Sequence, residues 1–432
     1  MENSKRPFFV GVRGMPESKR VVIVGSGFAG FFAAVEFGKL AHLVPGLEVT
    51  LVDKNNYHMF MPLLYHVGTG GIEAGNICFP IRATLNNGGT SPPVMFREAE
   101  VTGIDTENKK VVCDRTELEY EYLIFALGST TNFYGIPGLE DNGVPLKTIE
   151  DGIAMHNRIL ESFEAALLEE DEQKRREMLT FVVVGGGATG VELSTTMALF
   201  VFRTLNRDFP PLVRLARVLL IEATGSLLHG MRLEVGRLAL KQARKLGVEV
   251  RLNCLVSKAT PDGIETKDGE SIPSRNVTWV GGIKPLPIAD DLHAERAKDG
   301  RIVVSGSLEV PNRPGLYVAG DSAYCLRHDT RSPYPPTAQS AKRMGKTCAL
   351  NIVRSMNNLP PLPFRYKYKG DLVFLGRNYA VGEFMGRVVS GLPAFYMYQG
   401  YHLVSIAGFK NRLVTLLDWA YDYFYRRSTV KL

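Results

Sequence analysis

Two clusters of small residues in this chain have the types and spacing to hold a pyrophosphate. Gly25-Ser26-Gly27-Phe28-Ala29-Gly30 follows the β-branched run at 20–24, and Gly185-Gly186-Gly187-Ala188-Thr189-Gly190 follows a similar run at 181–184. The chemistry is that of backbone N–H groups: the first glycine turns sharply, the second lets the backbone approach a phosphate, and the third lets the following helix pack on the strand. A helix opening at each cluster would aim its free N–H groups and dipole at the anion, worth about 0.3–1 kcal/mol at an exposed site. Behind each loop comes a second strand-like run ending in an acid. Residues 48–52 lead to Asp53, with Lys54 next, and residues 217–221 lead to Glu222. A carboxylate in that place can accept hydrogen bonds from a ribose hydroxyl. One glycine motif is weak evidence, because such turns are common, but two copies in the same strand–loop–helix–strand–acid context imply two dinucleotides.

One flavin and one nicotinamide would make electron-transfer chemistry. The acid Glu222 is followed by Ala223 and Thr224, with no adjacent arginine to reward a ribose 2′-phosphate, so NADH is the expected co-substrate and not NADPH. The stretch from Gly190 to Glu222 exceeds the usual spacing of about 20 residues, and the excess at 206–211 reads as an inserted loop. Three further strand ends carry small residues that would let backbone lie close to a cofactor. These are Gly128 after 122–127, Gly281-Gly282 after Trp279, and Gly320-Asp321 after 316–319. Each also suits a plain turn.

Those motifs demand parallel strands with helical crossovers, and the 432-residue chain is long enough for two to three cores. Apolar residues at 45% and charged residues at 22% are those of a globular protein, not a disordered one. The five cysteines are scattered, odd in number and form no C-x-x-C pair, which speaks against a disulfide framework or a zinc site, so no metal is expected. Residues 1–19 mix both charges without an apolar run and read as a flexible arm. No run of about 18 apolar residues marks a membrane span.

The net charge of +6 is concentrated at the end. From Phe364 onward ten basic residues face four acids, and the same segment holds 16 of the chain's 41 aromatic residues. Basic plus aromatic in one segment marks an interface, with a membrane surface, a second copy or nucleic acid as the possible partners. Nucleic acid is disfavoured because no basic helix or known binding module is present. Residues 413–427 have helical periodicity: Leu413, Leu416, Leu417, Ala420 and Phe424 share one face, while Asp418 and Asp422 mark another. With the aromatic cluster at 392–401, this describes a foot lying on a membrane, or a homodimer contact of the same pattern.

The two loops with Gly128 and Gly320-Asp321 resemble the flavoprotein family with two dinucleotide-binding domains. Segments 57–71 and 335–343 resemble the type II NADH:quinone oxidoreductases, a likeness that extends over nearly the whole chain from Arg20. The resemblance implies an α/β fold of two Rossmann-like domains. A discontinuous FAD domain would take residues 20–150 and 291–363, an inserted NADH domain 151–290, and a membrane-binding segment 364–432. It implies FAD as cofactor, held by Gly25, Gly27, Phe28, Ala29, Gly30, Asp53, Lys54, Gly128, Gly320, Asp321 and Ala338. NADH would be held by Gly185, Gly187, Ala188, Thr189, Gly190, Glu192, Glu222, Gly281 and Gly282. In the family the alanine–glutamine motif lines the quinone entrance. Gln339 matches its first glutamine, whereas Arg343 replaces the second, and Thr196 stands where an acid often follows Glu192. The flavin carries the chemistry, so no catalytic side chain is required. His58 and His66 could relay protons to a quinone, or serve as ordinary hydrogen-bonding groups. Related disulfide or sulfide oxidoreductases need cysteines near the flavin, and Cys325 is the only candidate. A slow NADH-sensing flavoprotein is a further alternative. The expected location is peripheral, on the cytoplasmic face of a bacterial inner membrane.

Overall fold

The computed structural model describes residues 19–85, 94–406, 408–424, 427 and 429–431. The expected N-terminal arm, apart from Lys19, lies outside them. Two five-stranded sheets, each wholly parallel, carry the two glycine loops on their central strands. In the first the order is Leu316–Val318, Tyr122–Phe125, Lys19–Val24, Leu47–Asp53, Val94–Glu98. The second repeats that layout with Gly143–Pro145, Asn276–Trp279, Thr180–Val184, Arg217–Ile221 and Val248–Arg251. Parallel pairing requires a crossover between neighbours and leaves both faces covered, which explains why every residue of Thr180–Val184 is buried.

The chain therefore crosses between the sheets. Strand Gly143–Pro145 already belongs to the second sheet although it precedes residue 151, and Leu316–Val318 returns to close the first. The crossing is braced by the antiparallel pair Ser129–Thr131 with Ile283–Pro285. Trp279 Nε1 also donates across it to the Asn132 carbonyl at 2.8 Å.

The residues between the second loop and Glu222 do not form a loose insertion. Helix Ala188–Leu199 continues as a π-helical turn, Phe200–Leu205, and a short helix Pro210–Val213 follows before the strand. Phe200, Val201 and Leu205 are buried, so the extra length is used to extend the core.

The tail is not a detachable appendage. Strands Leu372–Phe374, Ala380–Phe384 and Arg387–Gly391 form an antiparallel sheet, and helices Leu392–Ser405 and Phe409–Phe424 follow. Val373, Phe374, Tyr398 and Trp419 share one core with Leu63, Phe79, Phe163 and Val191. No helix among the described residues is long and apolar enough to cross a membrane.

Candidate active site

Gly25 has φ +94° and Gly185 φ +120°, a left-handed backbone that L side chains resist. The turn in each loop is fastened the same way. Gly25 N–H donates to the Val52 carbonyl and Gly185 N–H to the Ile221 carbonyl, both at 2.8 Å. The acid at the end of the neighbouring strand then takes the next N–H: Asp53 Oδ2 accepts from Ser26 and Glu222 Oε2 from Gly186, both at 2.6 Å. Their second oxygens accept from Asn55 N–H at 2.8 Å and Thr224 N–H at 2.7 Å. Each acid is thus a brace for its own loop.

A Cβ on Gly30 would overlap the Gly25 carbonyl, and one on Gly190 the Gly185 carbonyl, so both third glycines are required by packing alone. The middle glycines differ. A Cβ on Gly27 or Gly187 would meet nothing within 4 Å. Helices Phe28–Leu40 and Ala188–Leu199 both begin with no side chain capping their N–H groups. Uncapped donors beside open space fit a pyrophosphate at both loops.

Around the first loop the other expected residues converge, with one exception. Helix Ala338–Met356 crosses helix Phe28–Leu40 so closely that a Cβ on Gly345 would overlap the Ala29 carbonyl. The same helix, which opens at Ala338 and Gln339, also packs on Gly320: a Cβ there would lie 3.6 Å from that of Ala341 and 3.3 Å from that of Ala29. Asp321 Oδ2 accepts from Ser129 Oγ at 2.7 Å, beside Gly128. Lys54 stands apart: its side chain is exposed and its Nζ lies 3.4 Å from Glu100. Around the second loop Gly281 packs against Gly185 and the Trp279 ring, and Gly282 against Tyr134.

Glu192, on the helix that the second loop opens, is engaged by the tail. It is buried, accepts from the Phe374 N–H at 3.1 Å, and is hydrogen-bonded to Tyr398, whose hydroxyl lies 2.8 Å from that of Tyr65. Burial pushes its carboxyl up to about 8 against the opposing pull of these donors, so it holds a proton at neutral pH. Thr196, four residues on, is buried and its hydroxyl bonds back to the Glu192 carbonyl. Its own carbonyl accepts from the buried Arg427 guanidinium at 3.2 Å, which also reaches Thr69 Oγ1 at 2.9 Å. The sequence placed Tyr65 in the 57–71 segment, Tyr398 in the aromatic cluster and Arg427 in the basic tail, but gave none of them these partners, which lie hundreds of residues away.

Gln339 and Arg343 are linked through Tyr366, which no sequence motif singles out. Tyr366 Oη donates to Gln339 Oε1 at 2.8 Å, and the Arg343 guanidinium sits 5.2 Å from the Tyr366 ring centroid.

His58 is a core histidine. It stacks on Phe31 at 4.5 Å, its Nδ1 lies 2.8 Å from the Ser26 carbonyl, and burial pulls it down to about 4. His66 is buried too, and burial with Arg427 nearby keeps it neutral. Cys325 is a buried thiol pushed up to about 11 by burial, which removes the nucleophile a sulfide or disulfide chemistry needs.

Residues 19–345 match the family described as pyridine nucleotide-disulphide oxidoreductase. Among curated proteins the chain is 31% identical to the type II NADH:quinone oxidoreductase Ndh of Mycobacterium tuberculosis, over 95% of this chain and 89% of that protein. It is 28% identical to the type II NADH:quinone oxidoreductase of Haemophilus influenzae, over 84% and 87%. The solved structure of NDH2 from Plasmodium falciparum in complex with NADH superposes with a TM-score of 0.86 at 20% identity, covering 96% of this chain and 100% of that one. The fold is also that of the sulfide:quinone oxidoreductase of Aquifex aeolicus, at a TM-score of 0.70 and 19% identity. The chain belongs to the type II NADH:quinone oxidoreductases, a branch of the two-dinucleotide flavoproteins, and is an oxidoreductase.

Proposed function

We propose that this enzyme holds FAD at the first loop and NADH at the second, and passes electrons to a quinone reaching it from a membrane. The observation that carries this reading is the duplicated cradle: two loops of the same build, each with an acid brace, an uncapped helix and open space at the middle glycine. FAD is held by Gly25, Gly27, Phe28, Ala29, Gly30, Asp53, Gly128, Gly320, Asp321 and Ala338, with Lys54 left out for its surface position. NADH is held by Gly185, Gly187, Ala188, Thr189, Gly190 and Glu222, with Gly281 and Gly282 shaping the floor. The bound flavin supplies the two-electron carrier between NADH and quinone.

The chain's own residues bind, orient and shield. Tyr366 fixes the Gln339 carbonyl, which leaves the amide N–H groups of Gln339 to face an incoming acceptor. Glu192, Tyr398 and Tyr65 form a buried polar chain in which burial, and not the hydrogen bonds, keeps a proton on the Glu192 carboxyl.

The tail rests on the membrane face where NADH is supplied, the cytoplasmic face of a bacterial inner membrane in this reading. Leu413, Leu416 and Leu417 are 46%, 48% and 58% exposed, while Thr415 and Trp419 on the same helix are buried. Apolar residues turned to solvent at the end of a basic, aromatic tail fit a lipid surface. A homodimer through the same leucines is the competing occupant, and sedimentation without lipid distinguishes it.

The test is to purify the protein, release and identify its flavin, and follow NADH oxidation with a short-chain quinone. Bound FAD and rapid quinone-dependent turnover are expected. A folded protein that takes up no flavin would overturn the reading. Glu222→Gln is expected to narrow the preference for NADH over NADPH. An unchanged ratio would remove Glu222 from the ribose site.

A further inference from the structure

Where three strand ends meet between the two sheets lies a lysine with no assigned role. Lys147 follows strand Gly143–Pro145, and its backbone is pinned by the next helix: its N–H donates to Asp151 Oδ2 at 2.8 Å. That carboxylate also accepts from Thr148 N–H at 2.9 Å, while Thr148 Oγ1 accepts from Asp151 N–H, a capping box opening helix Ile149–Leu168. The side chain reaches inward, and Nζ donates to Ser129 Oγ at 3.0 Å. Ser129 in turn donates to Asp321 at 2.7 Å. Ser129 follows Gly128, where a Cβ would find nothing within 4 Å, and Asp321 follows Gly320, which lies against Ala29 of the first loop.

An ammonium carries three donors. Among the described residues, the one hydrogen bond recorded for Nζ goes to a neutral hydroxyl, and no carboxylate lies within 4.0 Å of it. The side chain is half-buried, and burial draws it downward while Asp321 pulls it up. A cation withdrawn from water with a single neutral acceptor is unfavourable unless another acceptor arrives. The Ser129 and Asp321 partners place it at the first cradle, beside the open space left by Gly128.

We propose that Lys147 is a cofactor-facing cation: its remaining N–H donors meet the polar, carbonyl-bearing edge of the bound flavin ring, and its charge stabilises the ring in its reduced, more negative form. This rests on the reading that FAD occupies the first cradle. The capping box and Ser129 hold the ammonium in place before the cofactor binds, so little reorganisation accompanies reduction.

The experiment compares holoenzyme of the wild type, Lys147→Gln and Lys147→Arg in anaerobic equilibrium with a redox dye. At fixed dye poise the ratio of reduced to oxidised flavin is expected to fall at least about tenfold in the Gln variant and to stay within about threefold in the Arg variant. A Gln variant that titrates like the wild type overturns the proposal. So does an Arg variant that falls as far as Gln, because shape and not charge would then matter. If the Gln variant purifies without flavin, titration of flavin-free proteins with FAD replaces the dye. At least about tenfold weaker binding with an unchanged far-ultraviolet dichroism spectrum upholds the contact, and a collapsed spectrum in both variants overturns it. Failure of the underlying cofactor reading is visible separately, as wild-type protein that binds no FAD.

Discussion

The three glycines of each loop serve different physics, and substitution separates them. Gly30→Ala drives a methyl into the Gly25 carbonyl, so a loss of about 1–3 kcal/mol in folding stability is expected by chemical denaturation. Gly27→Ala meets open space, so stability without cofactor is expected to stay within about 0.5 kcal/mol. Affinity for FAD is expected to fall at least about tenfold, since the methyl enters the volume proposed for the pyrophosphate. The same pair at Gly190 and Gly187 should separate stability from NADH binding.

Glu192 gives a second residue-scale prediction. Its carboxyl is raised to about 8 in the fold, above its ordinary value of 4.5, so the folded state binds more protons than the unfolded chain between those limits. Wild-type stability from this group therefore falls as pH rises through that window. Glu192→Gln removes the titration, so its melting temperature relative to wild type is expected to rise from pH 5 to pH 8 and level off above. A difference that stays flat over that range would mean Glu192 is ionised in the fold.

At the scale of elements, helix Phe409–Phe424 faces two ways. Trp419 and Thr415 point into the core and Asp418 accepts from Asn76 Nδ2 at 2.7 Å, whereas Leu413, Leu416 and Leu417 face solvent. Asp418 thus turns toward the protein and leaves the leucine face free of that charge. The side chains of Asp422 and Phe424 lie outside the described residues. Full burial of a leucine is worth about 1.5–3 kcal/mol. Leu416→Asp with Leu417→Asp is expected to lower flotation with anionic liposomes at least tenfold while leaving the melting temperature within a few degrees. Retained flotation would move the membrane contact elsewhere. The neighbouring helix Leu392–Ser405 is divided likewise. Tyr396, Tyr401 and Val404 are exposed, but Phe395, Tyr398 and His402 are core, so only part of the aromatic cluster is available to a headgroup layer.

For the whole molecule, the tail closes the core of the second half. Segments 60–79, 146–166 and 373–406 contribute to one cluster with the second sheet. Arg427 is buried near the end of the chain between Thr69 and Thr196, so the tail, the segment after Asp53 and the helix of the second loop are joined. Removing residues 364–432 is therefore expected to do more than release a membrane contact. It deletes Val373, Phe374, Tyr398 and Trp419 from the core, a loss exceeding about 5 kcal/mol, comparable to the total stability of many domains. A truncated chain is expected to lose cooperative unfolding in calorimetry. A sharp transition near that of the full chain would show the tail to be an independent unit. Point substitutions on the leucine face consequently test membrane binding more cleanly than truncation.

The two loops, their acids and the parallel strands behind them were legible in the sequence because each rests on local chemistry. A glycine that must turn, a run buried on both faces and an acid at a strand end all leave a mark within a few dozen residues. The resemblance carried by residues 57–71 and 335–343 supplied the family and its acceptor. Only the tertiary structure decided what closes the site. Lys147 reaches Ser129 and Asp321, Tyr366 reaches Gln339, and Glu192 meets Phe374 and Tyr398 from the tail. It also moved Lys54 to the surface and His58 into the core. The Lys147 and Glu192 contacts join residues brought together by chain crossings between the sheets, and a partner set by tertiary folding leaves no periodicity or spacing for a sequence to display.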